Sequence, residues 1–462
     1  MAHFCRIHSV PKPGEGLSAW LAKALPDGPI RRIVIKPNWV RHQTDPDFPI
    51  QAMVTSTDLV QAVVEACERS YPLLESILVA DIPIQSCDWS LLTSQAGIMK
   101  LIPADSGLRK ERVTVRDLRM RRVHSSNGYL VADSESGDFG DQRGYCDVVL
   151  DQESLLDLVS HSRSKFRVSD YSPDETNSSH RLGYHRYRVS RSLLECDLFI
   201  NMPKMKTHQK AGITGALKNV VGINGNKAFL VHYQAGPPGR GGDEFPPNVR
   251  WPVRVQANVH QWARRAPRFV FRTLQVGWRA FRRAYGIQVK GTKENLGRRF
   301  LISAGAWYGN DSIWRMIYDL NQVILRAAPE GGLLQREPQR RYLAVLDGIT
   351  AGEGNGPLQP LAVPAGIVAV SDNPFLMDFA IARMMGFDYR KIPQLAHHRE
   401  FGEGSWGDFD PDATEFEMDD RVCKGIEALP VLHRFLPPPG WIGHIEIAPG
   451  GADVVGRIAA DG

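Results

Sequence analysis

Short runs of β-branched and apolar residues recur along this chain, and stretches whose apolar residues repeat with the period of a helix lie between them. This alternation restricts the fold more than any other feature, because strands joined through intervening helices come to lie side by side and point the same way. Arg32–Ile35, Ile77–Ala80, Asp197–Ile200, Tyr342–Leu346 and Gly366–Ser371 read as buried strands. Hydroxyl caps at Thr55, Ser56 and Thr57 precede a helix whose apolar face is Leu59, Val60, Val63, Val64 and Cys67. Two further helical stretches cover residues 312–328 and 374–385. The expectation is an α/β fold, a largely parallel open sheet flanked by helices, interrupted by a basic amphipathic helical insertion.

The 462 residues divide into a core of 1–224 and 301–400, a Gly/Pro-rich and then basic insertion over 225–300, and a loop-rich C-terminal extension over 401–462. Between 88 and 188 the signals are weaker, with strands at Val113–Val115 and Asp147–Leu150. Hydrophobic residues at 43% and charged residues at 23% support a packed core and exclude disorder as the main state. No run approaches the roughly 18 apolar residues of a membrane span, and the first residues lack the layout of a secretory signal, so the cytoplasm is the expected compartment. Six cysteines lie far apart without a CxxC pair; they read as structural thiols, and no iron–sulfur cluster is expected.

Polar residues gather where the strands end. Lys36-Pro37-Asn38 follows the first strand, Asp81 the second, Asn201 through His208 the third, Asp347 the fourth and Asp372 the fifth. Open α/β sheets bind ligands beyond the carboxyl ends of their strands, so these groups are expected to line one crevice. Lys204, Lys206 and Lys210 bring charge, Gly212 and Gly215 let backbone approach a ligand, and a helix beginning near Thr214 would turn free N–H groups toward an anion. The pattern G-x-x-x-x-G-K-[ST] is absent, so this is not a P-loop.

The substrate-binding candidates are Lys36, Asn38, Lys204, Thr214, Lys218, Asn219 and Asn355, and the catalytic candidates are Lys206, His208 and Asp378. Asp378, between Met377 and Phe379 in an apolar helix, reads as a buried carboxylate. Asp81, Asp347 and Asp372 form the metal side, since converging carboxylates can hold a hard divalent cation such as Mg or divide acid and base roles. The expected partner is a small anionic molecule, phosphorylated or otherwise, and the expected function is an enzyme acting on it.

At these residues the sequence resembles the DUF362 family, a broad bacterial and archaeal group of unknown function. Ile35-Lys36-Pro37-Asn38, Val79-Ala80-Asp81, Asn201-x-Pro203-Lys204-x-Lys206-Thr207-His208, Thr214-Gly215-Ala216-Leu217-Lys218-Asn219 and Asp347 to Pro357 carry the likeness, over roughly residues 30–395. Many members bear a ferredoxin-like Cys-rich module, which implies a second reading: an electron-transfer or assembly accessory working with a separate iron–sulfur partner. This chain lacks those cysteines.

Charge is unevenly spread. Residues 250–300 hold eleven arginines and two lysines against Glu294, a charge of +12, which leaves −7 on the rest of a chain whose total is +5. One basic segment on a mildly acidic body does not suit nucleic acid, whose binding domains carry their charge across the fold. Val270, Leu274, Trp278, Phe281 and Tyr285 fall on one helical face and Arg268, Arg272, Arg279 and Arg283 on another. Such a helix can dock on the body, cover an anionic substrate, or lie at an anionic membrane surface through residues 250–290. The last would place a cytoplasmic protein at the inner membrane face.

Overall fold

The structure is a computed structural model that describes residues 3–10, 16–101, 112–126, 129–132, 139–162, 164–168, 171–247, 277, 302, 304–402, 405–419 and 421–448. In chain order its main elements are β1 (Cys5–Ser9), β2 (Arg32–Pro37), α1 (Thr57–Ser70), β3 (Ser76–Asp81), β4 (Val113–Asp117), β5 (Leu198–Met202) and β6 (Lys204–His208). They continue with α2 (Ala216–Asn219), α3 (Ile313–Arg326), β7 (Arg341–Asn355), β8 (Gln359–Val363), β9 (Ile367–Ser371), α4 (Pro374–Met384), β10 (Glu415–Met418) and β11 (Arg421–Lys424).

One large mixed sheet runs in the order β11-β10-β1-β9-β7-β5-β2-β3-β4. From β4 to β7 every neighbouring pair is parallel. Of these, β2, β5 and β7 are largely buried on both faces, which is why they read as continuous apolar runs. Ile33, Ile35, Leu198, Ile200, Leu343 and Val345 pack with Leu59, Val60 and Val63 of α1. The alternate residues Val34, Phe199, Ala344 and Leu346 pack with α3 and α4 on the opposite face. The expected α/β fold, with its large sheet between helices, is the fold found.

Two strands depart from the sequence reading. β9 runs antiparallel to β7, pairing Ala344 with Ser371 and Asp347 with Val368. Its carboxyl end therefore lies at the opposite edge from the other strand ends. The predicted strand at Asp147–Leu150 becomes Tyr145–Val149 and joins Tyr184–Ser190 in a separate four-stranded sheet.

The segments read as insertion and extension also contribute to the packed fold. Lys227, Ala228, Phe229, Leu230 and Val231 are buried, and Tyr233–Gln234 pairs with Phe166–Arg167. β10 and β11 extend the large sheet beyond β1. Trp441 is fully buried and donates from Nε1 to the Gln209 carbonyl at 2.7 Å. The basic stretch 250–300 lies outside the described residues, Gly277 excepted, and with it the predicted amphipathic face.

Candidate anion site

β5 and β6 form one path along the 15-residue β7, broken at Pro203, which has no N–H for the ladder. The path stays anchored because Asp347 N–H donates to the Pro203 carbonyl at 2.9 Å. Beyond the break, Lys204 lies opposite Asp347 and Lys206 opposite Gly352, with a register shift between them. β6 thus carries lysine side chains past the end of β2 into the protein interior. Lys204 and Lys206 are both buried.

Two of the buried lysines are neutralised. Lys36 Nζ lies 2.8 Å from Asp81 Oδ1, and Lys204 Nζ lies 2.8 Å from Asp347 Oδ2. Burial lowers both ammonium pKa values, and each carboxylate partner opposes that fall. The carboxylates have further bonds: Asp81 accepts from Trp39 N and Ile82 N, and Asp347 from Ser56 N and Ile349 N.

Lys206, Lys218 and Lys227 have no such partner among the described residues. Lys206 donates to the Met53 carbonyl; burial holds its pKa well below the ordinary value, the ammonium groups of Lys204 and Lys218 press it lower, and Asp81 opposes them. Lys218, half-buried, and Lys227, buried, have no ion-pair partner among the described residues. Burial pushes both down to about 7, helped at Lys218 by Lys210 and Lys36 and opposed at Lys227 by Asp81. His208 accepts from Lys210 N and Ala211 N at Nδ1, which leaves the proton on Nε2. Burial first, then Lys218, His232 and other cations, keep the ring neutral. The result is an interior cluster with more ammonium groups than carboxylates.

The loop after β6 closes this cluster. Thr214 N–H donates to the Lys206 carbonyl at 2.7 Å, while Asn219, five residues on, reaches Asn38, Asn201 and Lys36. Asp378, buried on α4, accepts from Ala216 N and Leu217 N, so the start of α2 is held by a carboxylate. Gly215 and Gly222 are required by close approach: a Cβ at 215 would lie 2.0 Å from Asp378 Oδ1, and one at 222 would lie 2.5 Å from Lys36 Nζ. Two buried oxygens beside the cluster, Thr214 Oγ1 and Asn38 Oδ1, have no hydrogen-bond partner among the described residues.

The Domain of unknown function (DUF362) family model matches residues 125–383, more than half of the chain. The chain belongs to the DUF362 family. Within the match, β6, the loop with Lys218 and Lys227, and Asp347 and Asp378 are all included; Lys36, Asn38 and Asp81 precede it but join the same cluster in space. Thylakoid-associated protein sll1697 from Synechocystis sp. is 38% identical over 60 residues, 13% of this chain and 19% of that protein. This DUF362 chain thus matches less than a fifth of that relative's length. A Thermotoga maritima protein of known crystal structure is matched over 76% of this chain and 53% of its own at 12% identity, with a TM-score of 0.33.

The geometry sorts the residues expected from the DUF362 sequence. Lys36, Asn38, Lys204, Lys206, His208, Thr214, Lys218 and Asn219 gather around the cluster, together with Asp81 and Asp347. Asn355 stands aside, bonded to Gln209 and Gln359. Asp378 lies under the loop, with both carboxylate oxygens on backbone N–H groups. Asp372 is remote from the crevice because β9 is antiparallel; it binds Phe4 N at 2.9 Å and His3 Nδ1 at 3.1 Å. Among the described residues no three His, Cys, Asp or Glu side chains stand together as metal ligands, so Asp81, Asp347 and Asp372 do not form the expected set. The helix expected to aim N–H groups at an anion spans only four residues, and its first two N–H groups belong to Asp378. Lys227 and His232 were hidden from the sequence reading inside the supposed insertion. The apolar run Ala228–Val231 directly after Lys227 is the signal that places them in the core.

Proposed function

We propose that this protein binds a small anion, a phosphate or carboxylate compound, in the lysine cluster beyond the ends of β2 and β5, and acts on it as an enzyme. The observation carrying this reading is the set Lys206, Lys218 and Lys227, gathered together without an ion-pair partner among the described residues, the nearby Asp81 being already paired with Lys36. Buried ammonium groups that face one another cost several kcal/mol unless charge of opposite sign joins them. A bound anion supplies that charge. Lys218 then serves as a group that exchanges a proton near neutrality, and His208 offers Nε2–H to an anion oxygen.

Calorimetric titration with inorganic phosphate tests the proposal. Phosphate should bind, and Lys206→Met should weaken it by at least about tenfold, the loss of one charge-assisted hydrogen bond. The same variant should melt at a higher temperature than the unaltered protein, because an apolar chain of similar length replaces a buried amine whose charged form burial and the neighbouring lysines disfavour. Absence of phosphate binding, or binding indifferent to Lys206→Met, would refute the anion site.

Residues 250–290 carry a second proposed contact, with anionic lipid. The strong positive charge of that segment supports it. The sequence of that segment holds no run of about 18 apolar residues, so the contact proposed is peripheral.

A further inference from the structure

Three asparagines beside Lys36 fix a property of the ligand that positive charge alone leaves open. Asn201 Nδ2 donates to the Ala216 carbonyl at 2.8 Å. A carbonyl oxygen only accepts, so this bond sets the orientation of the Asn201 amide and makes its Oδ1 an acceptor toward Asn219. Asn219 Nδ2 donates to that oxygen at 2.7 Å, which sets the second amide in turn. Asn219 Oδ1 then accepts from Asn38 Nδ2 at 2.6 Å and lies 3.4 Å from Lys36 Nζ. Turning the Asn38 amide over would bring two oxygens together at 2.6 Å.

The chain of amides ends at Asn38 Oδ1, a buried acceptor with no donor among the described residues. The Asn38 side chain is held by its bond from Nδ2 to Asn219 Oδ1, and its main chain by the backbone N–H, which donates to Thr55 Oγ1 at 2.8 Å, a hydroxyl that donates to the Met202 carbonyl at 2.8 Å. Anionic oxygens cannot satisfy an amide oxygen, since both are acceptors. The missing partner is an O–H or N–H. A ligand ammonium is disfavoured by Lys36, Lys218 and Lys227, which are close enough to depress one another's protonation. A hydroxyl carries no such penalty.

We propose, building on the anion site above, that the anion bound here carries a hydroxyl group. Its charged head is held by Lys206 and Lys218, with Thr214 Oγ1 beside them, and its hydroxyl donates to Asn38 Oδ1. The ligand class is thereby a phosphorylated or carboxylated alcohol.

Glycerol 3-phosphate and propyl phosphate, close in size and equal in charge, separate the possibilities by calorimetry on the full chain. Glycerol 3-phosphate should bind at least about tenfold more tightly, because a site built around a substrate hydroxyl leaves its own acceptor unpaired when the hydroxyl is missing. In Asn38→Leu the ratio of the two affinities should fall to near one. Equal affinities in the unaltered protein would overturn the hydroxyl inference while leaving the anion site standing, and failure of both probes to bind would remove both. The comparison between ligands needs no variant, so it decides the matter even if Asn38→Leu does not fold.

Discussion

Lys218 and Lys227 connect the chemistry of single residues to pH. Each has its pKa pushed down to about 7 from the ordinary lysine value of 10.5, burial being the first cause. A bound anion favours the charged lysine and raises that pKa, so binding above pH 7 must draw protons from solution. Affinity should therefore be level below about pH 7 and fall above it, by up to about tenfold per pH unit for each proton taken up. Sulfate, whose charge does not change over this range, is the suitable probe, and titrations in two buffers of different ionisation enthalpy count the protons. Without anion the sign for folding follows from the same shift. Between about pH 7 and 10.5 the unfolded chain holds more protons on these two lysines than the folded chain, so their cost is relieved as pH rises. Urea unfolding of the anion-free protein should show this rise from pH 7 to 9, and Lys218→Met should flatten it. A level profile in the unaltered protein would contradict the assignment.

At the scale of elements, the site rests on the joint between β6 and β7. Lys204 and Asp347 are buried together, so removing one charge strands the other. Asp347→Asn should cost about 3–5 kcal/mol of stability, while Lys204→Met with Asp347→Asn should recover most of it. Chemical denaturation of the two single variants and the double variant measures this coupling. Gly215→Ala attacks the neighbouring element: its Cβ would meet Asp378 Oδ1 at 2.0 Å, and relief requires the start of α2 to shift. A loss of about 1–3 kcal/mol is expected, the usual range for overpacking. The strands themselves were legible in the sequence because both faces of β2, β5 and β7 are buried, which leaves unbroken apolar runs. Strand direction was not legible. β9 has the same composition as a parallel strand, and only its pairing partner shows that Asp372 faces away from the other strand ends. The lysines of β6 could be singled out because charge beside a buried run is unusual. That Asp378 caps α2 could not be read, since it joins residues 162 positions apart.

For the whole molecule, sequence spacing misjudged what is core. Gly/Pro-rich composition made residues 225–247 look like the start of an insertion, yet glycines and prolines there shape turns around buried Lys227 to Val231. The basic stretch that follows differs in kind. A charge of +12 within residues 250–300 repels itself, whereas an anionic surface attracts clustered arginine by about 1 kcal/mol per residue near the membrane. Trp262, Trp278 and Phe281 add side chains suited to the headgroup region. Among the described residues, the groups of the lysine cluster come from the sheet ends and the loop 214–232. Vesicle flotation distinguishes lipid binding from docking on the fold: the protein should rise with anionic vesicles and not with neutral ones. Salt should weaken the association, because screening acts on exposed charge over about 8–10 Å at ordinary ionic strength. Deleting residues 250–290 should abolish flotation and leave sulfate affinity in the lysine cluster unchanged. Should the intact protein stay at the bottom of the gradient with anionic lipid at low salt, the segment is no membrane anchor; a fall in sulfate affinity on deletion would instead make it part of the anion site.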